Sequence, residues 1–477
     1  MLGLVEISSE WFIGALLILY AVTILSAVGV VLSENRNPIK SLAWVSVLIF
    51  LPFVGLLFYL FFGRNPKSLH IISRHNRRRL LHSRPPRSAM SAQDDISPEN
   101  RQIVKMIDKL SAFPLCVGNE VEIFTDGFSK FNALKADLMA ARETIYLQYY
   151  IFRDDKIGHE IAEILMRKAR EGVKVKVLYD HVGSFSVKSG FYRKMKKAGV
   201  DAHPFFRVTF PQLANRVNWR NHRKMVIIDT EIGYIGGMNI ADRYADPESK
   251  WRDTHFRVTG AIVNLLKYSF AVDWNFMRRE FSFEDTRAAC PVFKDRTGIQ
   301  LLTSGPGEEW SNIAMTYLKA IASARKSIFI QTPYFLPTDA LLKALQAAAL
   351  ANVDVRIMLP KRSDSRLLNF ATFSYITECL RSGIKVYLYQ PGMLHAKTMI
   401  IDDDFVTAGS TNFDFRSFEH NFEANLFFYD KGFNRRMRDI FFRDVQSCVK
   451  LTLARWSRRP LLQRLFESIV RLLSPVL

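Results

Sequence analysis

The sequence predicts an α/β protein built from two similar halves around one shared site, preceded by a two-helix transmembrane hairpin. Three observations carry this reading. The frame H-x-K-x4-D occurs twice, in NHRKMVIIDTEIGYIGGMN (Asn221 to Asn239) and in LHAKTMIIDDDFVTAGSTN (Leu394 to Asn412). A longer strand and helix pattern surrounds each copy and is itself repeated. Two uncharged runs, Trp11 to Leu32 and Ser41 to Phe62, open the chain.

The repeat extends well beyond the motifs. ETIYLQYYIF (Glu143 to Phe152) matches KSIFIQTPYF (Lys326 to Phe335). A helical stretch follows each, HEIAEILMRKAREG or DALLKALQAAALAN, then a β-branched run, VKVKVLYD or VDVRIMLP, and later GVDAHPF or GIKVYLY. Short apolar runs alternating with helical periods predict strand, helix, strand, helix, strand in each half, and an internal duplication sets the architecture. The stretch from Gln148 to His222 is ten residues longer than that from Gln331 to His395. The first copy therefore carries an insert, RVTFPQLANRVNWR (Arg207 to Arg220), which reads as a lid or as an ordinary surface loop.

Each opening run has 22 residues, enough for a helix across a hydrocarbon core that needs about 20. Trp11, Trp44 and Tyr59 fall near the ends, where amphipathic rings favour the interface, and Pro52 kinks the second helix without forbidding the span. Glu6 and Glu10 precede the first run where a signal peptide needs positive charge. The connector SENRNPIK holds one acid and two bases, whereas RNPKSLHIISRHNRRRLLHSRPPR after Phe62 holds eight bases and no acid. Both termini are thus predicted to face the cytoplasm of a bacterial inner membrane, with a multi-pass anchor and the catalytic body on the same side. The basic run attracts anionic headgroups by about 1 kcal/mol per residue near the surface.

The predicted boundaries are a hairpin over 1–67, a basic linker over 68–112, halves over 113–295 and 296–454, and a basic amphipathic helix over 455–477. In that last segment Leu461, Leu462, Leu465, Phe466, Ile469, Val470 and Leu473 share one helical face. Such a helix lies on an anionic membrane or packs onto the body.

Composition narrows the partner. Lys and Arg number 66 against 46 Asp and Glu, a net charge of +20, so the partner is anionic: nucleic acid, an acidic small molecule or anionic lipid. The four cysteines form no C-x-x-C pair, which argues against zinc ribbons and redox motifs and predicts free thiols. HEIAE at His159 lacks the second histidine of a zinc-protease helix, because Glu163 stands there. No metal or cofactor is expected, since lysines occupy the positions where ligands belong.

The motif itself suggests phosphodiester chemistry. KMVII reads as a strand, so His222 and Lys224 project to one face, as do His395 and Lys397. Asp229 and Asp402 complete the catalytic frames, but at seven residues from the histidine they fall in the turn and read as structural support that pairs with a base. Asn239 and Asn412, with the small residues Gly237 and Ser410, would come beside the histidine and lysine on a close-packed second strand. Asp253 in KWRDTHF and Glu423 in HNFEANLFF would hold each imidazole in one tautomer. Two imidazoles suit a two-step displacement, and lysines with asparagines suit phosphate oxygens.

These residues resemble the paired motifs of the phospholipase D superfamily, and the resemblance spans roughly Phe113 to Leu477. ENRNPIKSLAWV, LPFVGLLFYLFFGR, NWRNHRK, IGGMNIADRY and WRDTH are similar to segments of the bacterial cardiolipin synthases. The resemblance implies two phospholipase-D-like α/β/α sandwich halves and a metal-free ping-pong reaction. In it, phosphatidylglycerol donates its phosphatidyl group to a histidine, glycerol leaves, and a second phosphatidylglycerol accepts the group to give cardiolipin. By the same resemblance His222 is the nucleophile and His395 the general acid and base, with the reversed assignment also open. Lys224, Lys397, Asn239, Asn412 and Ser410 bind phosphate. Gly237 departs from the usual hydroxyl residue, so the first half uses a backbone amide there or relies on its partner half. Transfer to water, serine or ethanolamine, and a membrane-tethered nuclease, are the alternatives.

Overall fold

The computed structural model describes residues 11–15, 17–18, 20–26, 28–29, 38–51, 55, 58–59, 96–111, 113–207, 219–277, 281, 297–472 and 474. The first half contributes β1 (Cys116–Phe124), β2 (Thr144–Tyr149), β3 (Lys174–Asp180), β4 (Asp201–Phe205), β5 (Met225–Ile228), β6 (Ile232–Gly236) and β7 (His255–Thr259). The second contributes β8 (Thr297–Ser304), β9 (Ser327–Gln331), β10 (Phe335–Leu336), β11 (Asp354–Pro360), β12 (Lys385–Tyr389), β13 (Thr398–Ile401), β14 (Phe405–Gly409), β15 (Phe413–Asp414), β16 (Glu423–Phe428) and β17 (Cys448–Lys450).

One continuous sheet runs β4-β3-β2-β5-β6-β7-β1 and then β8-β16-β14-β13-β9-β11-β12-β17. The order in the second half mirrors that in the first, with β17 as an added edge. The halves join where β1 pairs antiparallel with β8. Within each half the outer three strands are parallel, β2-β3-β4 and β9-β11-β12. The crossovers between them are helices, Lys156–Arg170 and Ser189–Lys197 in one half, Asp339–Leu350 and Arg366–Arg381 in the other. This matches the predicted alternation, because parallel neighbours require a long crossover.

The motif strands are buried at every position and on both faces, MVII in β5 and TMII in β13, as central strands covered by helices must be. Each ends in a turn whose aspartate has a left-handed backbone, φ 51° at Asp229 and 49° at Asp402. The Asp229 carboxylate accepts the backbone N–H groups of Arg142, Glu143 and Thr144 at 2.7, 2.8 and 2.8 Å. Asp402 does the same for Arg325, Lys326 and Ser327 at 2.9, 2.7 and 2.9 Å. These acids tie the hairpin turn to the start of the neighbouring parallel strand.

The expected linker over 68–112 needs correction. Pro98–Leu110 is a helix that buries Ile103, Val104 and Ile107 and packs against the helix Asn312–Ser323. Gln300 donates to the Val104 carbonyl at 3.4 Å and to Asp108 at 2.9 Å. The spacing of Ile103, Val104 and Ile107 in PENRQIVKMIDKL places them on one helical face; the linker residues before 96 lie outside the described residues.

The described amino-terminal residues belong to a compact unit of their own. Its described helix is Pro38–Phe50, and Trp44 meets Tyr59 edge to face at 5.4 Å. Among the described residues no helix is long and apolar enough to cross a membrane. The remainder of the two runs, and most of the insert before His222, lie outside the described residues. Cys116 and Cys379 are buried and Cys448 is half-buried.

The carboxyl end is two helices, Leu453–Ser457 and Leu461–Arg471. The second packs on the helix Arg366–Arg381 through buried Val470, through Phe466 against Phe370 and through the Arg471–Glu378 ion pair. Leu461, Leu462, Leu465, Ile469 and Leu472 remain exposed.

Candidate active site

Two short backbone bridges hold each motif against the opposite half. The His222 N–H donates to the Phe422 carbonyl at 2.9 Å and the Phe422 N–H to that of Arg220 at 2.8 Å. Reciprocally, the His395 N–H donates to the Arg252 carbonyl at 2.7 Å and the Arg252 N–H to that of Met393 at 2.9 Å. Glu423 and Asp253 are the residues next along from those bridges.

The carboxylates therefore cross over. His222 Nδ1 lies 3.0 Å from Glu423 Oε1 and 3.1 Å from Oε2, and His395 Nδ1 lies 2.6 Å from Asp253 Oδ2. The sequence pairs each acid with a histidine but carries no signal that the partners are exchanged between halves. With Nδ1–H donating to a carboxylate, each ring turns Nε2 and its lone pair outward. Glu423 is held in turn by Ser410 Oγ at 2.5 Å and Asn421 Nδ2 at 3.1 Å, and Asp253 by the Thr254 N–H at 2.7 Å.

Lys224 and Lys397 are buried. Their Nζ atoms donate to the carbonyls of His222 and His395, each at 2.5 Å, and Lys397 Nζ also lies 2.9 Å from His395 Nδ1. Burial above all carries the ammonium pKa of Lys224 down to about 7 and that of Lys397 to about 8, each lysine acting on the same carboxylates, Glu423 and Asp253. Burial also takes His222 down to about 4 against the pull of Glu423, and His395 well below its ordinary value with the help of Lys397. Asp253 is pushed up by burial to about 6. Burial pushes Glu423 the same way, but His222, Lys224 and Ser410 outweigh it and hold the acid below its ordinary value. Both imidazoles are thus neutral at pH 7, the form a nucleophile or a general base requires.

The remaining motif residues are engaged in building the site. Asn239 Oδ1 accepts the Ile151 N–H at 3.1 Å while its Nδ2 donates to the Tyr244 hydroxyl at 2.9 Å. Asn412 is buried, and no donor reaches its Oδ1. Ser410 binds Glu423, as above. A Cβ at Gly237 would fall 2.1 Å from Asp253 Oδ1, so the departure from serine makes room for the acid that holds His395. Asp229 and Asp402, expected to complete the catalytic frames, bind backbone amides at the turns, and among the described residues neither forms an ion pair with a base. The odd spacing that sends them there is the physical reason.

The duplicated core matches the family described as "Cardiolipin synthase, PLD-like domain" over residues 134–264 and 317–445. The "Major cardiolipin synthase ClsA" of Bacillus subtilis (strain 168) is 37% identical over 471 residues, covering 96% of this chain and 98% of that protein. The chain belongs to the cardiolipin synthase family. A "Cardiolipin synthase" of Listeria monocytogenes is likewise 37% identical over 475 residues, covering 97% of this chain and 98% of its own length. Residues 18–64 match the family described as "Phospholipase_D-nuclease N-terminal". Among solved structures, the phosphatidylserine synthase of Haemophilus influenzae Rd KW20 superposes with a TM-score of 0.60 at 15% identity, covering 79% of this chain and all of that one, which bears on the fold alone.

Around this family centre stand residues the motif reading missed. Arg223 pairs with Asp273 at 2.7 Å and donates to the Glu423 carbonyl at 3.0 Å; Gln148 donates to the same Asp273 at 2.5 Å. The other half repeats the device with Arg252, Asp444 and Gln331, at 2.8 Å and 2.7 Å. The matched glutamines were visible as a repeat, but their partners come from distant helices. Tyr150 packs on His222 at 5.0 Å, and Tyr244 and Trp251 on His395 at 5.6 Å each.

The charge states set a pH window. Lys224 and Lys397 lose their protons as pH rises through about 7 and 8, and Asp253 gains one as pH falls through about 6. We expect kcat/KM to decline on both sides of that window, because the free enzyme's groups govern it. Initial rates in mixed micelles at fixed lipid fraction check this; a plateau that continues to about pH 10, where ordinary lysines titrate, contradicts it.

Proposed function

We propose that this protein is a membrane-bound cardiolipin synthase that joins two phosphatidylglycerol molecules through a phosphohistidine. The observation that carries the reading is the pair of neutral imidazoles, each aligned by a carboxylate of the opposite half. His222 Nε2 attacks the phosphorus of the first phosphatidylglycerol. The bond to the glycerol oxygen breaks, and His395, which takes up a proton from water as the phosphodiester anion binds, hands it to that oxygen as general acid so that glycerol leaves. His395, now neutral, takes the proton of the second phosphatidylglycerol's terminal hydroxyl while that oxygen bonds to phosphorus and the P–N bond breaks. Lys224 and Lys397 offset the charge on the non-bridging oxygens. Their lowered pKa values rise again once a phosphodiester anion is bound. Asn412 serves the same oxygens through its Nδ2 donor.

Family membership supports the substrate class, and three features support the membrane. The runs Trp11 to Leu32 and Ser41 to Phe62 are uncharged over 22 residues each, the length of a hydrocarbon crossing, and under this proposal they pair as a hairpin with both termini cytoplasmic. The basic stretch after Phe62 faces anionic headgroups. The exposed leucines of the carboxyl-terminal helix, with Arg455, Arg458 and Arg464 beside them, lie in the interface of the same bilayer.

Purified protein given phosphatidylglycerol alone in mixed micelles is expected to yield cardiolipin and glycerol in equal amounts by mass spectrometry. Phosphatidic acid as the sole lipid product contradicts the reading. For the anchor, cysteines introduced one at a time in the connector over 33–40 are expected to react with an impermeant reagent only from outside the cell, and those over 64–87 only after lysis. Labelling of both sets from the same side overturns the hairpin.

A further inference from the structure

One cation beside His395 has no part in the chemistry above. Arg243 follows the motif Asn239 by four residues, in the short helix Asp242–Ala245. Its guanidinium carbon lies 5.0 Å from the centre of the Trp251 ring and 5.4 Å from that of Tyr244. Those same two rings each stand 5.6 Å from the ring of His395. The guanidinium and the imidazole thus contact the same two rings, and the charge of Arg243 is felt at His395.

Unlike its neighbours, this arginine is not paired. Arg223 and Arg252 have Asp273 and Asp444, whereas Arg243 Nε is buried with no acceptor. The Tyr244 hydroxyl hydrogen-bonds the guanidinium, and Asp364 acts on it through the field. Asp364 Oδ1 already accepts from the Tyr334 hydroxyl at 2.6 Å and from Ser363 Oγ at 3.3 Å. Among the described residues no carboxylate forms an ion pair with Arg243. A buried guanidinium N–H without an acceptor carries a desolvation cost that an anionic ligand removes.

The second substrate brings such a charge. A phosphatidylglycerol acceptor is itself a phosphodiester, and the three carbons of its glycerol separate the reacting hydroxyl from its own phosphate. With that hydroxyl at His395, a second anion must lie beyond the imidazole, on the side away from the phosphorus held by Lys224 and Lys397. We propose that Arg243 binds this non-reacting phosphate and so selects an anionic phospholipid acceptor over water or a small neutral alcohol. The inference rests on the cardiolipin synthase reading with His395 as the general base. During transfer the acceptor O–H gives its proton to His395, the O–P bond forms and the P–N bond to His222 breaks; Arg243 touches only the phosphate that does not react. The planar fork of a guanidinium suits bidentate contact with two phosphate oxygens.

The test compares two acceptors in one enzyme preparation. Cardiolipin formation from phosphatidylglycerol needs the acceptor phosphate, whereas exchange of radiolabelled glycerol into phosphatidylglycerol does not. In Arg243→Gln the ratio of cardiolipin formation to glycerol exchange is expected to fall about tenfold or more, the worth of a charged hydrogen bond. Arg243→Lys, which keeps the charge, should recover part of that ratio. A merely structural role would lower both rates together, and an unchanged ratio in Arg243→Gln overturns the proposal. Arg416 follows Asn412 by the same four residues and stands near Arg220 and Tyr150 on the His222 side. Loss of selectivity in Arg416→Gln and not in Arg243→Gln contradicts the proposal and reverses the roles of the histidines. A wild-type enzyme that exchanges glycerol but makes no cardiolipin contradicts instead the reading beneath it.

Discussion

Each histidine of the catalytic pair is held by an acid from the half that does not contain it. Glu423 reaches His222 and Asp253 reaches His395, and all four side chains are buried. Burying an unpaired carboxylate costs several kcal/mol even after relaxation, so neither half can satisfy its own acid alone. The site and the seam between the halves are one construction. The bridges at Asn221 and Phe422, and at Arg252 and Leu394, bring each acid to its imidazole within a residue of the crossing. The Arg223–Asp273 and Arg252–Asp444 pairs brace the same crossings from behind.

Close backbone approach makes this packing possible. A Cβ at Gly236 would lie 2.5 Å from His255 Cα, and one at Gly409 would lie 2.3 Å from the Ala424 carbonyl oxygen. The strands bearing the glycines therefore sit tightly against the strands that follow the acids. The resulting dryness has an electrostatic consequence. Two ammonium groups forced together without water lose affinity for their protons until a phosphodiester arrives, so the empty centre is primed for an anion. A substrate that carries a second phosphate asks for a further cation, and the site holds one against its aromatic wall.

Much of this was legible in the sequence. The paired frames, the alternating elements and the matched glutamines come from duplication, which leaves its mark in the order of residues. Asp229 and Asp402 were traceable to the turns by parity alone. What stayed hidden is what depends on how two copies meet. The exchange of Asp253 and Glu423, the partners Asp273 and Asp444, and the hydrogen bond from Ser410 to Glu423 join residues far apart in the chain. The helix Pro98–Leu110 was missed for a different reason: a basic context masked an amphipathic period. Gly237 read as a missing hydroxyl, and its cause is steric, the carboxylate of Asp253 filling the space a side chain would take.

The most direct measurement of the exchanged pairing follows the covalent step. Rapid quenching with phosphatidylglycerol labelled at phosphorus should trap the label on His222. In Glu423→Gln that label is expected to form at least about tenfold more slowly, as loss of a buried charged hydrogen bond requires, although residue 423 belongs to the other half. Label appearing on His222 at the wild-type rate in that variant would contradict the account.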